Sequence, residues 1–156
     1  MSTPVAPVTF QREKIGECQD EIRPLLVAHW EEIAHFKDIP LDPDWEMYRQ
    51  IEATGALRIY TVREDARLVG YAVFFVRAHP HYKASVQATQ DILYLDPPLR
   101  KQLVGSRFIA WCDAELAADG VAVVYHHVKL AFDFGPLLKR LGYEAIETVW
   151  GRRLDE

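Results

Sequence analysis

Apolar positions recur at threes and fours in some stretches of the chain and at twos in others, and the change of period divides it into elements. Val5 to Arg12 read as a short first strand. From Glu17 to about Phe36, the residues Ile22, Leu25, Leu26, His29, Ile33 and Phe36 fall on one side of a helix. Pro24 lies inside that run, and its missing N–H predicts a helix that starts there, with proline in the first turn. After the loop "KDIPLDP", Asp42 is placed to cap a second helix that runs through Ile51 and ends at Gly55.

The period then shortens. Leu57 to Arg63 and Leu68 to Ala78 are strand-like runs around the turn-prone "EDAR", a hairpin pattern. "HPHYK" is expected to break the sheet before a further strand, Val86 to Leu95, which Pro97 and Pro98 stop. Lys101 to Ala118 return to a helical period, closed by Asp119-Gly120. "VAVVYHHV" reads as a buried strand, Phe132 to Leu141 as a short helix ended by Gly142, and Tyr143 to Arg152 as a last strand. The order β, α, α, β, β, β, α, β, α, β predicts one α/β domain over residues 1–156. A meander feeding a β-α-β crossover gives it a mixed, mainly antiparallel sheet with helices on both faces.

Composition narrows the partners. Apolar residues make up 49% of the 156 positions, enough for a sizeable core. A formal charge of −5 argues against non-specific nucleic-acid binding, which needs a basic face. No stretch approaches the ~20 apolar residues of a membrane span, and the first residues lack a signal-peptide pattern. Cys18 and Cys112 lack metal or redox spacing and read as buried small hydrophobes. A cytoplasmic protein is the expectation. The six histidines include His29 and His35 on the first helix and His79 and His81 in a loop, but no HExxH or comparable spacing, so no metal site is expected.

The stretch "DPPLRKQLVGSRFIAW" concentrates the chemistry. A helix N-terminus presents unsatisfied N–H groups and the positive end of the helix dipole, which suits an anion. Gly105 permits close backbone approach, Ser106 adds a hydroxyl, and Arg100 and Lys101 add charge. The dull alternative is a helix start with solvated charges.

Element order and this turn together resemble the GNAT superfamily of acetyl-CoA-dependent N-acetyltransferases, over about Val8 to Leu154. "RKQLVG" is similar to the family's Arg/Gln-x-x-Gly-x-Gly/Ala loop, with Arg100 and Gly105 at its ends and Leu103 where the first glycine is usual. "LLKRLGYE" resembles the family's Tyr-x-x-x-Gly-Phe, keeping Gly142 and Tyr143 but placing Leu138 at the tyrosine. The strands and "HWEEIA" also resemble GNAT proteins encoded by tailed phages. The resemblance implies a splay between the fourth and fifth strands, with Arg100, Lys101, Gln102, Leu103, Val104, Gly105 and Ser106 holding the pyrophosphate of acetyl-CoA. It implies backbone contacts from Leu93, Tyr94 and Leu95 to the pantetheine arm.

Asp91 stands near the place of the family's strand glutamate and is the candidate base that takes a proton from an amine. Strand alternation puts it on one face with Thr89, Leu93 and Leu95. With the usual tyrosine acid replaced by Leu138, Tyr125, His126 or His127 could protonate the departing thiolate, and Tyr125 and His127 are the candidate acids. Trp30, Glu31 and Glu32 on the acidic first helix, with Tyr82 after the third strand, are candidates for the amine acceptor. The reading is acetyl transfer from acetyl-CoA to a primary amine, on a small molecule or a protein, by direct attack in a ternary complex. The alternative is a weak or inactive GNAT-shaped module that binds CoA or a protein, with exposed aromatics in "HWEEIAHF" or "DPDWEMY" as its surface, a homodimer face included.

Overall fold

A computed structural model describes residues 7–156. Its elements are β1 (Val8–Arg12), α1 (Ile15–Ile33), α2 (Trp45–Ala53), β2 (Leu57–Glu64), β3 (Arg67–His79), β4 (Tyr82–Leu95), a 3-10 turn (Pro97–Leu99), α3 (Val104–Ala118), β5 (Val123–Tyr125) and α4 (Gly135–Arg140). Among the described residues the strands form one five-stranded sheet in the order β1-β2-β3-β4-β5. All neighbours are antiparallel except β4 and β5, which run parallel after the α3 crossover.

Alternation along the strands builds two cores. Tyr60, Val62, Ala72, Phe74 and Ala88 face α3, where they meet Phe108, Cys112 and Leu116. Leu57, Ile59, Tyr71, Val73 and Tyr94 face the other way, onto Ile15, Cys18 and Ile22 of α1 and the partly buried Trp45 and Tyr48 of α2. Both cysteines are therefore buried and free, as the sequence suggested. No helix among the described residues is long and apolar enough to cross a membrane.

The mixed sheet with helices on both faces is as the sequence predicts, and so is the hairpin at "EDAR". Asp65 and Ala66 take positive φ there, 47° and 67°, which matches the twist of the flanking strands. Several boundaries differ. β1 begins at Val8, and Val5 lies outside the described residues. α1 starts at Ile15 and runs through Pro24, because the burial of Ile15, Cys18 and Ile22 outweighs one lost backbone bond. The cap of α2 is Asp44, not Asp42: its Oδ1 accepts from Met47 N–H at 2.9 Å. "HPHYK" does not break the sheet. β3 and β4 continue as a long hairpin whose turn is Pro80-His81, so Tyr82 opens β4.

Near the C-terminus the sequence overpredicts. β5 keeps only three paired residues, α4 only six, and α3 starts at Val104 rather than Lys101. The strand expected over Tyr143 to Arg152 does not form. Ile146, Val149 and Trp150 are exposed and find no neighbouring strand among the described residues, so their alternation has nothing to pack on.

One close approach fixes the outer half of β4. A Cβ on Gly70 would sit 2.8 Å from both Leu95 Cδ1 and the Tyr94 carbonyl oxygen, and the latter is backbone that cannot rotate away. Gly70→Ala is expected to cost about 1–3 kcal/mol in denaturant unfolding, as β4 shifts to relieve the overlap.

Candidate functional site

β4 and β5 stay paired only from Gln87↔Val123 to Thr89↔Tyr125. Beyond that point β4 continues six residues to Leu95, while the chain after Tyr125 turns away toward α4. The outer edge of β4 is thereby left without a strand partner. A cavity of about 330 Å³ opens beside it, at the small end of ligand-sized clefts. His29 and Glu32 of α1, Leu93 to Leu95 of β4, Gly105 of α3 and the 127–137 segment enclose it.

At the inner end of this cavity β4 carries a bulge. Gln90 pairs with Phe74 and Ile92 with Val73, which leaves Asp91 as the extra residue. A bulge re-aims a side chain, and this one reverses the alternation along β4. Leu93 and Leu95 consequently pack with Ala88 on the α3 side, whereas Asp91 turns to α2 and accepts a 2.5 Å hydrogen bond from Tyr48 Oη. The expectation that Asp91 shares a face with Leu93 and Leu95 is corrected by that inserted residue. Asp91 is solvent-exposed on one side, and the protein packed on its other side lifts its pKa by desolvation, partly offset by the Tyr48 hydrogen bond and the nearby His127.

At the outer end, the N–H groups of Val104, Gly105 and Ser106 precede the first full helical turn and have no backbone acceptor among the described residues. Arg100 stands beside them in an internal clamp. Its Nε donates to the Leu95 carbonyl at 2.7 Å and an Nη to Glu32 at 2.9 Å. Its guanidinium lies over the rings of Tyr94 and Phe132, at 5.3 and 4.9 Å. Arg100 thus joins α1, β4 and the 127–137 segment. Beside this clamp the His29 ring lies tilted against Tyr94, 5.3 Å between centroids. Burial drives its pKa down to about 4, against the pull of Glu32, so it is neutral at physiological pH.

No protein-family model matches the sequence, and no curated protein does. Solved structures match closely in shape. An aminoglycoside acetyltransferase from an uncultured soil metagenomic sample, in complex with sisomicin, superposes with a TM-score of 0.73 at 14% identity, covering 95% of this chain and 97% of that one. A predicted acetyltransferase with acetyl-CoA from Clostridium acetobutylicum gives 0.73 at 11% identity, over 95% and 97% of the two chains. A GCN5-related N-acetyltransferase from Ralstonia eutropha JMP134 gives 0.71 at 18% identity, over 94% and 99%. The chain has the GNAT acetyltransferase fold.

On that fold the residues read from sequence divide into three groups. Asp91, His127, Leu93, Tyr94, Leu95, Arg100, Gly105 and Glu32 meet around the cavity. Lys101, Gln102 and Leu103 are exposed, Leu103 to 76%, and none of them belongs to the lining. Val104 is buried under the sheet, where only its backbone is available to a ligand, and the Ser106 hydroxyl donates to the Leu103 carbonyl at 3.0 Å.

The remaining residues lie elsewhere. Tyr125 stays in the paired part of β5 and is not in the lining. Trp30 carries Lys37 over its ring at 5.1 Å, Glu31 is exposed, and Tyr82 packs beside His79 at the β3–β4 turn. None of these three lines the cavity: on α1 it is His29, Glu32 and Ile33 that face it, and the long hairpin carries Tyr82 past the sheet. The sequence reading missed Tyr48, Gln90 and Phe132. Tyr48 sits on the apolar stripe of α2, which was a visible signal; Gln90 and Phe132 depend on the bulge and the loop path, which left none.

Proposed function

We propose that this chain is an N-acetyltransferase that moves an acetyl group from acetyl-CoA to a primary amine by direct attack in a ternary complex. The observation that carries the reading is the continuous cavity between the parted strands, with a carboxylate on a bulge at one end and free helix N–H groups at the other. The pyrophosphate would lie on the N–H groups of Val104 to Ser106, with Lys101 near the entrance. The pantetheine amides would bond the unpaired edge of β4, in the manner of an added strand.

The amine approaches from the α2 side, where Asp91 is open to solvent. Asp91 removes a proton from the ammonium; the nitrogen lone pair then attacks the thioester carbonyl, the C–N bond forms, the C–S bond breaks with its electron pair leaving on sulfur, and the nitrogen gives up its second proton to solvent as the amide forms. His127, which lines the cavity, or solvent returns a proton to the thiolate. His126 is held neutral by burial, its pKa near 4, and has no proton to spare for this step. Cys18 and Cys112 lie in the two cores rather than in the cavity lining, which supports direct attack over an acyl-enzyme.

Calorimetric titration with acetyl-CoA tests the reading. Saturable binding is expected for the wild type and for Gly105→Ala, since a Cβ there meets only the Leu137 and Leu95 side chains, at 3.7 and 3.9 Å. Gly105→Glu, which sets a carboxylate against the phosphates, is expected to weaken binding at least about tenfold, some 1.4 kcal/mol. No binding by folded wild-type protein would overturn the proposal. Binding without thiol release across polyamines, amino sugars and peptide amines would leave only a CoA-binding module.

A further inference from the structure

At the point where β4 and β5 part, a side-chain pair that the proposed mechanism does not use links β4 to the residue just after β5. Gln90, just before the bulge, is only 6% exposed yet lines the cavity. Its Oε1 lies 2.8 Å from His126 Nδ1, across the parting strands. The other ring nitrogen of His126, Nε2, is sealed from solvent with no hydrogen-bond partner among the described residues. Aromatic rings surround that imidazole edge-on: Tyr143 at 5.1 Å, Phe74 at 5.7 Å and Phe134 at 6.2 Å.

These facts select a tautomer. Buried N–H groups without an acceptor are rarer than buried lone pairs without a donor, so Nε2 bears the lone pair and Nδ1 the hydrogen. Nδ1–H then donates to Gln90 Oε1, and the carboxamide is fixed end for end. Its Nε2 is the remaining polar group, without a partner among the described residues, on a side chain that lines the cavity. Burial keeps the imidazole neutral, so the arrangement persists across physiological pH.

From this pair, and resting on the acetyltransferase reading, we infer that Gln90 is a catalytic residue whose carboxamide N–H donates to the carbonyl oxygen of the acyl thioester, with His126 as its positioning residue. A neutral N–H donor suits an oxygen that gains negative charge as the amine attacks, and it repels an ammonium. The amine is therefore not its partner. The bulge puts the two roles on successive residues. Asp91 turns toward α2 to take the proton, and Gln90 reaches the α3 side to hold the oxyanion.

Infrared spectroscopy of acetyl-CoA labelled with carbon-13 at the thioester carbonyl reads this contact directly. The carbonyl band is expected to move to lower frequency on binding the wild type, and to return toward its free position in Gln90→Leu, with CoA affinity unchanged. In steady state Gln90→Leu is expected to lower kcat about a hundredfold, in the range for one oxyanion donor, with little change in the amine KM. His126→Phe frees the carboxamide to rotate and is expected to lose the band shift as well. Should Gln90→Leu fail to fold, Gln90→Asn draws the donor back by one methylene and is expected to lose the shift. A shifted band that survives in the folded variants overturns the assignment of Gln90 alone. Absence of acetyl-CoA binding by the wild type overturns the acetyltransferase reading and this inference with it.

Discussion

Replacing Asp91 by asparagine is expected to lower the rate of amine acetylation about a thousandfold at neutral pH, within the range for loss of a general base. Acetyl-CoA binding should be unchanged, because Asn keeps the shape of the side chain and an oxygen for the 2.5 Å hydrogen bond from Tyr48. The measurement is thiol release with whichever amine turns over in the wild type. The pH profile gives the second half of the test. Desolvation on its packed side raises the Asp91 pKa, while the Tyr48 hydroxyl and His127 lower it, with a net shift upward. A base acts deprotonated, so wild-type activity falls as pH drops through that raised value. Tyr48→Phe removes one of the lowering contacts and is expected to move the acid limb to higher pH, leaving the plateau rate little altered. An unchanged rate in Asp91→Asn, or an acid limb that moves to lower pH in Tyr48→Phe, would show that the proton goes elsewhere.

The second large effect concerns stability. Arg63 of β2 donates to both oxygens of Glu13, at 2.9 and 2.8 Å, to both of Glu21, at 3.0 and 2.9 Å, and to the Ala66 carbonyl at 2.7 Å. Thr61 and Gln11 add hydrogen bonds to Glu13. This cluster ties α1 to the sheet, with the Arg63 and Glu13 side chains 13% and 8% exposed and Glu21 at its solvent edge. Arg63→Ala strands the Glu13 carboxylate and is expected to cost about 3–5 kcal/mol in denaturant unfolding.

The pH dependence has a definite sign. Burial alone would raise the Glu13 pKa, but the Arg63, Thr61 and Gln11 hydrogen bonds override it and bring it to about 2, from 4.5. A depressed folded-state pKa stabilises above the unfolded value, and that contribution is lost as pH falls from about 4.5 through about 2. It amounts to at most about 3 kcal/mol, reduced by screening from solvent near Glu21. In Arg63→Ala the loss between these pH values is expected to shrink. An unfolding free energy with the same acid dependence as the wild type would refute this account.

How much of the site the sequence disclosed depends on how local its causes are. The helical spacing of Ile22, Leu26 and Ile33 and the alternation of Leu57 to Val62 belong to the chain alone, and those elements form. The anion-suited turn at Gly105 is also local, since it follows from where a helix can begin after Pro97 and Pro98. Pro24 reads in sequence as a helix start because its penalty is local, while the burial that outweighs it comes from β3 and β2. Tyr143 to Arg152 differ from their pattern for the converse reason: a strand pattern forms a strand only where a neighbouring edge is offered.

By itself, then, the sequence determined the order of the elements as far as α4, the mixed sheet and the helix start that follows Pro97 and Pro98, all of which rest on periodicity and punctuation. Tertiary structure decided which side chains serve the cavity. The single inserted residue at Asp91 reversed the faces of β4 beyond it, leaving the carboxylate on Tyr48 and bringing Leu93 and Leu95 beside Ala88, while the pairing of β4 with β5 set Gln90 against His126. Arg100, which reads in sequence as a free cation for a phosphate, is held instead by Glu32 from 68 residues away and by two aromatic rings. Such contacts join residues far apart along the chain, and their geometry is set by strand register and loop path, which no local pattern records.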